Sequence, residues 1–298
     1  MATVPVESRP AQRRRVDWNA LLLSLPAFVF VMVLFIFPFI FGFVVSLQNA
    51  KGSALTLDNY LQFFGDSSQV STILITFQVA LPVTFFTVAV SIPLAYFMRR
   101  GIKFERLINI LLILPITLGT VMVAQAMERY FGPIGWFNQV LISAHILQGP
   151  LPLLHNVLGV EIALFIQGFP FVFLLVVGYM SAIDPDQERA SRMLGANTWQ
   201  TFWRVIFPLT LPGIIVAFCL NFVANFGVFP SAVLVGDPSG VTRVLSVAAY
   251  DAFSNNDPPQ ATAIALVMGV LELLVVVIVL GLRNFVARGA TISGGKGA

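Results

Sequence analysis

The sequence predicts an all-α membrane protein that crosses the bilayer six times. Of its 298 residues, 57% are hydrophobic and only 10% are charged, whereas about a quarter of the residues in a soluble domain are charged. The apolar residues also form six continuous blocks, each supplying the roughly 20 residues that a helix needs to cross a hydrocarbon core about 30 Å thick. The alternating pattern of outer-membrane barrel strands is not found.

Each apolar block is predicted to form one transmembrane helix. The first block follows a basic cluster, as in a signal peptide, but it is nearly double the ~7–15 apolar residues of such a peptide. No small-residue cleavage pattern follows it, so we expect it to remain as a membrane anchor. The six predicted spans cover approximately residues 18–47, 71–97, 107–127, 156–182, 205–235 and 260–285.

The basic residues predict the orientation of these spans. Lys and Arg are retained on the cytoplasmic side during membrane insertion. With a cytoplasmic N-terminus, all 17 Lys and Arg residues except Lys51, Arg129 and Arg243 lie on that side. We therefore expect both termini in the cytoplasm.

The same reasoning divides the chain into three parts. Residues 1–17 are polar and are expected to form a cytoplasmic tail. Residues 18–288 form the predicted transmembrane domain, which contains a charged loop at 184–204 between the fourth and fifth spans. Residues 289–298 are rich in Gly and are expected to be a flexible tail.

Several classes of function are disfavoured by the residue types present. The net charge of +3 follows from the membrane topology, so no nucleic-acid partner is expected. Cys219 is the single cysteine, and His145 and His155 lack the spacing of a metal site, so we expect neither a disulfide nor a bound metal. The phosphate-binding pattern G-x-x-x-x-G-K-[ST] is absent, so this chain is expected to bind no ATP or other cofactor.

The segment that differs most from its surroundings is the charged loop, which reads DPDQERASRMLGANTWQTFWRVIFPLTLPG from Asp184 onward. Asp184 is a favourable N-cap for a helix that begins at Pro185. Gly195 suits the left-handed conformation in which many helices end. Asn197 or Thr198 can cap a second helix. A first helix of about ten residues cannot span a bilayer, so it is predicted to lie across the cytoplasmic face.

This short helix is predicted to be amphipathic. Ala190, Met193 and Leu194 follow the i, i+3, i+4 spacing of one apolar stripe. The remaining surface is predicted to carry the charged residues Glu188, Arg189 and Arg192. Two interpretations are open from the residues alone: an ordinary interfacial helix that links two spans, or a helix that seats in a groove of a cytoplasmic partner.

From Asp184 to Pro212 the sequence resembles the EAA loop of permease subunits of ABC importers. That loop has the pattern Glu-Ala-Ala, three residues, Gly, nine residues, Ile, one residue, Leu-Pro. When the glycine is placed at Gly195, the spacing fits throughout. Positions of the pattern are then occupied by Arg189, Ala190, Ser191, Val205, Phe207 and Pro208. Arg189 departs from the expected Glu, although Glu188 directly precedes it.

The resemblance implies the fold of a type I ABC importer permease in a bacterial inner membrane. It also implies that a second permease subunit completes the pore, that two ATPase subunits bind ATP and Mg²⁺, and that an external binding protein delivers the solute. The chain itself is then not an enzyme. The residues expected to couple it to the ATPase are Glu188, Arg189, Ala190, Ser191, Arg192, Leu194, Gly195 and Pro208.

Polar residues within the spans are candidates for the substrate path, because such groups are costly in lipid and face a pore or another helix. We selected Gln167, Asn221, Asn225 and Glu272, with helix-to-helix hydrogen bonding as the alternative. The C-terminal third resembles permeases of the polyamine, phosphonate and ferric-ion group more than sugar permeases. Glu161 and Glu272 would suit a polyamine, whereas Arg129 or Arg243 would suit an anion.

Two other classes of membrane protein were considered. Secondary transporters driven by an ion gradient often carry repeated halves with broken helices in matching positions, and no such repeat is seen. A membrane enzyme would need a nucleophile and base or a metal pair within bonding reach, and neither G-x-S-x-G nor H-E-x-x-H occurs.

Overall fold

The computed structural model of the chain describes residues 18–49, 54–99, 101 and 105–292. Within these residues the chain is helical, apart from turns and an isolated bridge between Gln48 and Leu55. Six helical segments are long and apolar enough to cross a membrane. The predicted all-α fold with six spans is therefore confirmed.

Thirteen α-helices are found in the described part of the chain. In order they are α1 (Trp18–Val31), α2 (Phe37–Ser46), α3 (Asp58–Gly65), α4 (Ser67–Met98), α5 (Glu105–Phe131), α6 (Trp136–Ser143), α7 (Val157–Ser181), α8 (Pro185–Met193), α9 (Thr198–Thr201), α10 (Phe207–Phe226), α11 (Pro230–Leu234), α12 (Leu245–Ser254) and α13 (Pro258–Ile292). Two π-helical turns, at Met32–Ile36 and Phe202–Ile206, join α1 to α2 and α9 to α10.

Two boundaries differ from those expected from hydropathy. The fifth membrane helix ends at Phe226 and not near 235, because Gly227 interrupts it and the separate helix α11 follows. The last helix continues to Ile292, so the first residues of the expected C-terminal tail are helical. The expected N-terminal tail at 1–17 and residues 293–298 lie outside the described residues.

Both π-helical turns directly precede a Phe-Pro pair. In each turn the backbone N–H of the phenylalanine, Phe37 or Phe207, bonds to the carbonyl five residues earlier. Proline lacks an N–H, and its ring collides with the carbonyl four residues before it in a regular α-helix. The wider turn accommodates Pro38 and Pro208 without ending either helix.

The core of the molecule is built by α4, α7 and α10, which pack against one another, with α13 against α10. The face of α4 within this core carries small hydroxyl residues, including Thr76, Thr87 and Ser91, all fully buried. Each hydroxyl donates to the carbonyl four residues earlier at 2.6–2.7 Å, so none is left without a partner. Small residues let membrane helices approach closely.

The first span lies at the edge of this core and contacts it through α2, which packs on α13. Asn59 on α3 fixes the end of α2, because its side chain donates hydrogen bonds to the carbonyls of Ser46 and Gln48 at 2.7 and 2.8 Å. Helix α3 also places Phe63 in the core, whereas Phe64 remains 57% exposed. One face of α3 is therefore packed and the other is exposed.

Replacing Gly213 by Ala is expected to lower the thermal stability of the protein. Gly213 on α10 faces the ring of Tyr179 on α7, and an added β-carbon would overlap that ring. Overpacking of this kind costs about 1–3 kcal/mol, so the apparent unfolding temperature in detergent should fall. Gly178→Ala is the control, because nothing lies within 4 Å of its β-carbon position. Equal unfolding temperatures for both variants would contradict this packing.

Candidate functional site

The charged loop folds as the sequence predicted. Helix α8 begins at Pro185, and the Oδ1 atom of Asp184 accepts a hydrogen bond from the N–H of Asp186 at 2.9 Å. The helix ends at Met193, and Gly195 follows with a φ of 83°. At this angle a β-carbon is disfavoured, which explains the choice of glycine.

The second cap is also present. The Oδ1 atom of Asn197 accepts from the N–H of Gln200 at 2.8 Å, and the side chain of Gln200 accepts from the N–H of Asn197 at 3.0 Å. This reciprocal capping box starts α9. Ser191 on α8 and Thr201 on α9 are joined by their hydroxyls at 3.1 Å. The two short helices are therefore fixed to each other as an elbow.

Glu188 lies on a different face of α8 from the one expected. The sequence suggested that it shares the outer surface with Arg189 and Arg192, but its side chain is only 15% exposed and faces the end of α4. There its Oε2 atom lies 3.7 Å from Nη1 of Arg99, whose side chain is 9% exposed. The charge of Arg99 explains the difference. Arg99 lies at the end of α4, so the sequence of α8 alone does not show that a positive charge faces Glu188.

The apolar stripe of α8 points away from the rest of the chain. Met193 and Leu194 are 83% and 88% exposed, and Trp199 on α9 is 68% exposed. Arg189 is exposed as well and pairs with Asp186 at 2.8 Å on the outer surface. An amphipathic helix that packs on its own protein buries its apolar face, and α8 has the opposite arrangement.

Pro208 is exposed at the start of α10, directly after the π-helical turn. This turn carries Phe202 and Trp203, whose rings contact Trp199 and Phe207 with centroids 4.8–6.4 Å apart. The aromatic cluster joins α9 to the first turn of α10. The elbow is therefore attached to the fifth span by ring contacts as well as by the backbone.

Three of the candidate path residues meet where α4, α7, α10 and α11 pack. Gln167 donates to the hydroxyl of Ser231 at 2.9 Å, and Asn225 donates to the hydroxyl of Thr84 at 3.0 Å. Asn221 lies against Gly168, where a β-carbon would meet its Oδ1 atom. We call Thr84, Gln167, Asn221, Asn225 and Ser231 the polar cluster.

One group in the polar cluster has no partner within the described residues. The Nδ2 atom of Asn221 is buried without a hydrogen bond, and the whole residue is 1% exposed. Buried amide groups are nearly always paired. The amide nitrogen of Asn221 is therefore an exception to this rule, at the contact between α7 and α10.

The acids of the spans lie apart from this cluster. Glu272 is half-buried on α13, and no hydrogen bond or ion pair is found for it among the described residues. Glu161 is half-buried in the second turn of α7. It lines a groove of about 470 Å³ between α4 and α7, together with Phe85, Phe86 and Phe165.

Sequence reasoning missed three residues of these sites. Arg99 was used only to predict the orientation of the spans. Thr84 and Ser231 were not predicted as site residues. The signal for Arg99 was its place at the end of the second span, where a basic residue meets the loop that carries Glu188. For Thr84 and Ser231 no local pattern distinguishes them from other hydroxyl residues.

Residues 88–292 match the family described as binding-protein-dependent transport system inner membrane component. The chain belongs to this family. The match covers the α8 elbow, the last four spans and every member of the polar cluster except Thr84. The chain is thus a permease subunit of a binding-protein-dependent ABC importer, which decides against the gradient-driven transporter considered from sequence.

Two curated relatives and one solved structure are similar to this permease over most of its length. It is 28% identical over 258 residues to the spermidine/putrescine permease PotB of Haemophilus influenzae, covering 84% of this chain and 90% of the relative. It is 27% identical over 268 residues to the sulfate permease CysW of Synechocystis sp., covering 87% and 90%. A bacterial ABC transporter involved in alginate import shares the fold, with a TM-score of 0.77, 18% identity and coverage of 90% and 96%.

Replacing Gly195 by Val is expected to loosen the C-terminal end of α8. The left-handed conformation at φ 83° costs a β-carbon-bearing residue about 1–2 kcal/mol, so amide hydrogen exchange across 185–193 should become several-fold faster. Gly195→Asn is the control at the same position, because asparagine tolerates this conformation. If Val and Asn gave the same exchange rates, the conformation would not be what selects glycine here.

Proposed function

We propose that α8 is the coupling helix of this permease and that its exposed apolar end seats in a groove of an ATPase subunit. Two permease subunits form the pore and two ATPase subunits bind below it. ATP and Mg²⁺ are held by the ATPase, whose closure turns the pore outward to accept a solute from an external binding protein. Both chain termini and α8 then lie on the cytoplasmic side of a bacterial inner membrane.

The observation that supports this role is the reversed amphipathicity of α8. Its acid Glu188 faces the body of the permease, while Met193 and Leu194 project outward. Burying two such side chains in a partner stabilises the contact by about 1.5–3 kcal/mol each. Arg189, Ala190 and Ser191 occupy the positions of the Glu-Ala-Ala pattern beside them, with Arg189 exposed toward the partner.

A cysteine at position 194 is expected to crosslink to a cysteine in the groove of the ATPase. Because Leu194 is 88% exposed, its replacement should not disturb the permease itself. The native Cys219 is buried and is first replaced by Ser. Crosslinked product is measured on gels of the assembled complex with and without ATP.

Ile134→Cys serves as the control for this crosslink. Ile134 is as exposed as Leu194, at 86%, but it lies between α5 and α6 at the other end of the spans. Crosslinking at 194 and none at 134 supports the proposal. A complex that transports solute without any crosslink at 194 would contradict it.

We further propose that the solute is a small polyamine. The match to a spermidine/putrescine permease supports this, and so do the acids Glu161 and Glu272 within the spans. The groove at Glu161 also presents aromatic rings, with Phe86 and Phe165 5.2 Å apart between centroids. Ammonium groups are attracted both to carboxylates and to aromatic faces, so the groove offers both kinds of contact to one cation.

We place the substrate path along α7 and α10, bordered by Gln167, Asn221 and Asn225, with Glu272 on α13 as a further acid. In the described structure both asparagines are buried and Asn225 donates to Thr84 on α4, so a solute reaches them when these helices separate. The unpaired Nδ2 atom of Asn221 is the donor that such a movement would present. Sulfate, phosphonate and sugars remain the competing solutes.

Purified complex in proteoliposomes, supplied with its binding protein, is expected to take up spermidine when ATP is present, also after ion gradients are collapsed. Glu161→Gln should lower that uptake about tenfold, the effect of losing one contact to a charged group. Glu128→Gln is the control, because Glu128 is exposed near the same end of the spans on α5. Uptake of sulfate or a sugar in place of spermidine would contradict a polyamine substrate.

A further inference from the structure

Arg99 joins the end of the second span to the segment that carries α8. It is the first residue after α4, and its Nη2 atom donates to the carbonyl oxygen of Ile183 at 2.7 Å. Its Nη1 atom faces Oε2 of Glu188 at 3.7 Å. One guanidinium group therefore reaches both the backbone just before α8 and the first turns of α8 itself.

Glu188 connects this contact to the outer surface of α8. Its second oxygen, Oε1, accepts from Nη2 of Arg192 at 2.6 Å. Glu188 thus lies between two arginines, of which Arg99 is 9% exposed and Arg192 is 51% exposed. The carboxylate is held on the permease side of α8 by the buried arginine and on the partner side by the exposed one.

The burial of Arg99 makes its contacts costly to break. A guanidinium that is removed from water must keep its partners, because leaving one charge of a buried pair alone is strongly destabilising. Its planar fork reaches two acceptors at once, which the single ammonium of a lysine does less well. Nη1 has no hydrogen bond within the described residues, and 3.7 Å is longer than a hydrogen bond, so attraction to Glu188 holds this side.

The pair also sets the direction in which α8 presents its apolar end. At about 100° per residue, Met193 and Leu194 lie roughly 140° and 120° around the helix from Glu188. Fixing Glu188 against α4 therefore turns both apolar side chains outward. The backbone of α8 leads to α7 and α10, so the contacts of Arg99 add α4 to the helices that α8 can move.

We propose that Arg99 is a positioning residue for coupling: it holds α8 through Glu188 and the Ile183 carbonyl, so that movement of α8 is passed to α4. The inference rests on the proposed role of α8 as the coupling helix. It gives the second span a contact with α8 through a side chain, in addition to the backbone connections of α8 to α7 and α10. Removing Arg99 should leave the rate of ATP hydrolysis unchanged and lower the amount of solute transported per ATP hydrolysed.

The test measures solute uptake and ATP hydrolysis in the same proteoliposomes, with the complete complex and its binding protein. Arg99→Ala and Glu188→Gln are each expected to lower the uptake per ATP hydrolysed about fivefold. Arg99→Lys should fall between these variants and wild type. The double variant Arg99→Glu with Glu188→Arg restores the opposite charges but not the donation to the Ile183 carbonyl, so it should recover only part of the ratio.

Arg204→Ala is the matched control. Arg204 is an exposed arginine at the same end of the spans, and no ion pair is found for it in the described part of the chain. Its uptake per ATP should equal that of wild type. If Arg99→Ala does not assemble, Glu188→Gln, which preserves the side-chain shape, decides the question together with the charge exchange.

The crosslink at Leu194 separates the two proposals. A wild-type crosslink together with an unchanged ratio in Arg99→Ala or Glu188→Gln would overturn the role of Arg99 and leave the coupling role of α8 intact. A lowered ratio that the charge exchange does not raise above that of Arg99→Ala would likewise overturn the pairing. Absence of the wild-type crosslink in transporting complexes would overturn both proposals.

Discussion

The structure depends on one constraint, which is that hydrocarbon offers no hydrogen bonds to the chain. Polar groups within a span therefore favour partners within the protein. On α4 this is done by Thr76, Thr87 and Ser91, which bond back to their own helix and leave a narrow face. That narrow face brings α7 and α10 close, and the polar cluster forms where they meet.

The α8 elbow combines stable attachment to its own protein with an exposed apolar end. Helix α8 does this by burying charge and exposing apolar side chains. Its inward contact is an ion pair with Arg99, and its ends are fixed by Asp184, Asn197 and the left-handed Gly195. These contacts leave the apolar end of α8 exposed.

Much of this architecture could be predicted from sequence, because it depends on local rules. Hydropathy gave the six spans, and the caps at Asp184 and Asn197 with Gly195 gave the elbow to within a residue. The side on which Glu188 lies could not be predicted, since it is set by Arg99, far away in the chain. The pairing of Asn225 with Thr84 has the same origin. Each depends on which helices pack together, and hydrophobic periodicity does not show which helices are neighbours.

The break in the third span has a consequence for what surrounds it. Gly119, in the middle of α5, adopts φ 73° and ψ 161°, so the helix there divides into two halves. A backbone that leaves the helical conformation cannot keep every bond of the i to i−4 ladder, and acyl chains supply no replacement. The flanking side chains of Leu118 and Val121 are 43% and 48% exposed in the single subunit. Lipid alone therefore cannot satisfy the backbone groups freed at Gly119, and the break requires protein or water beside it.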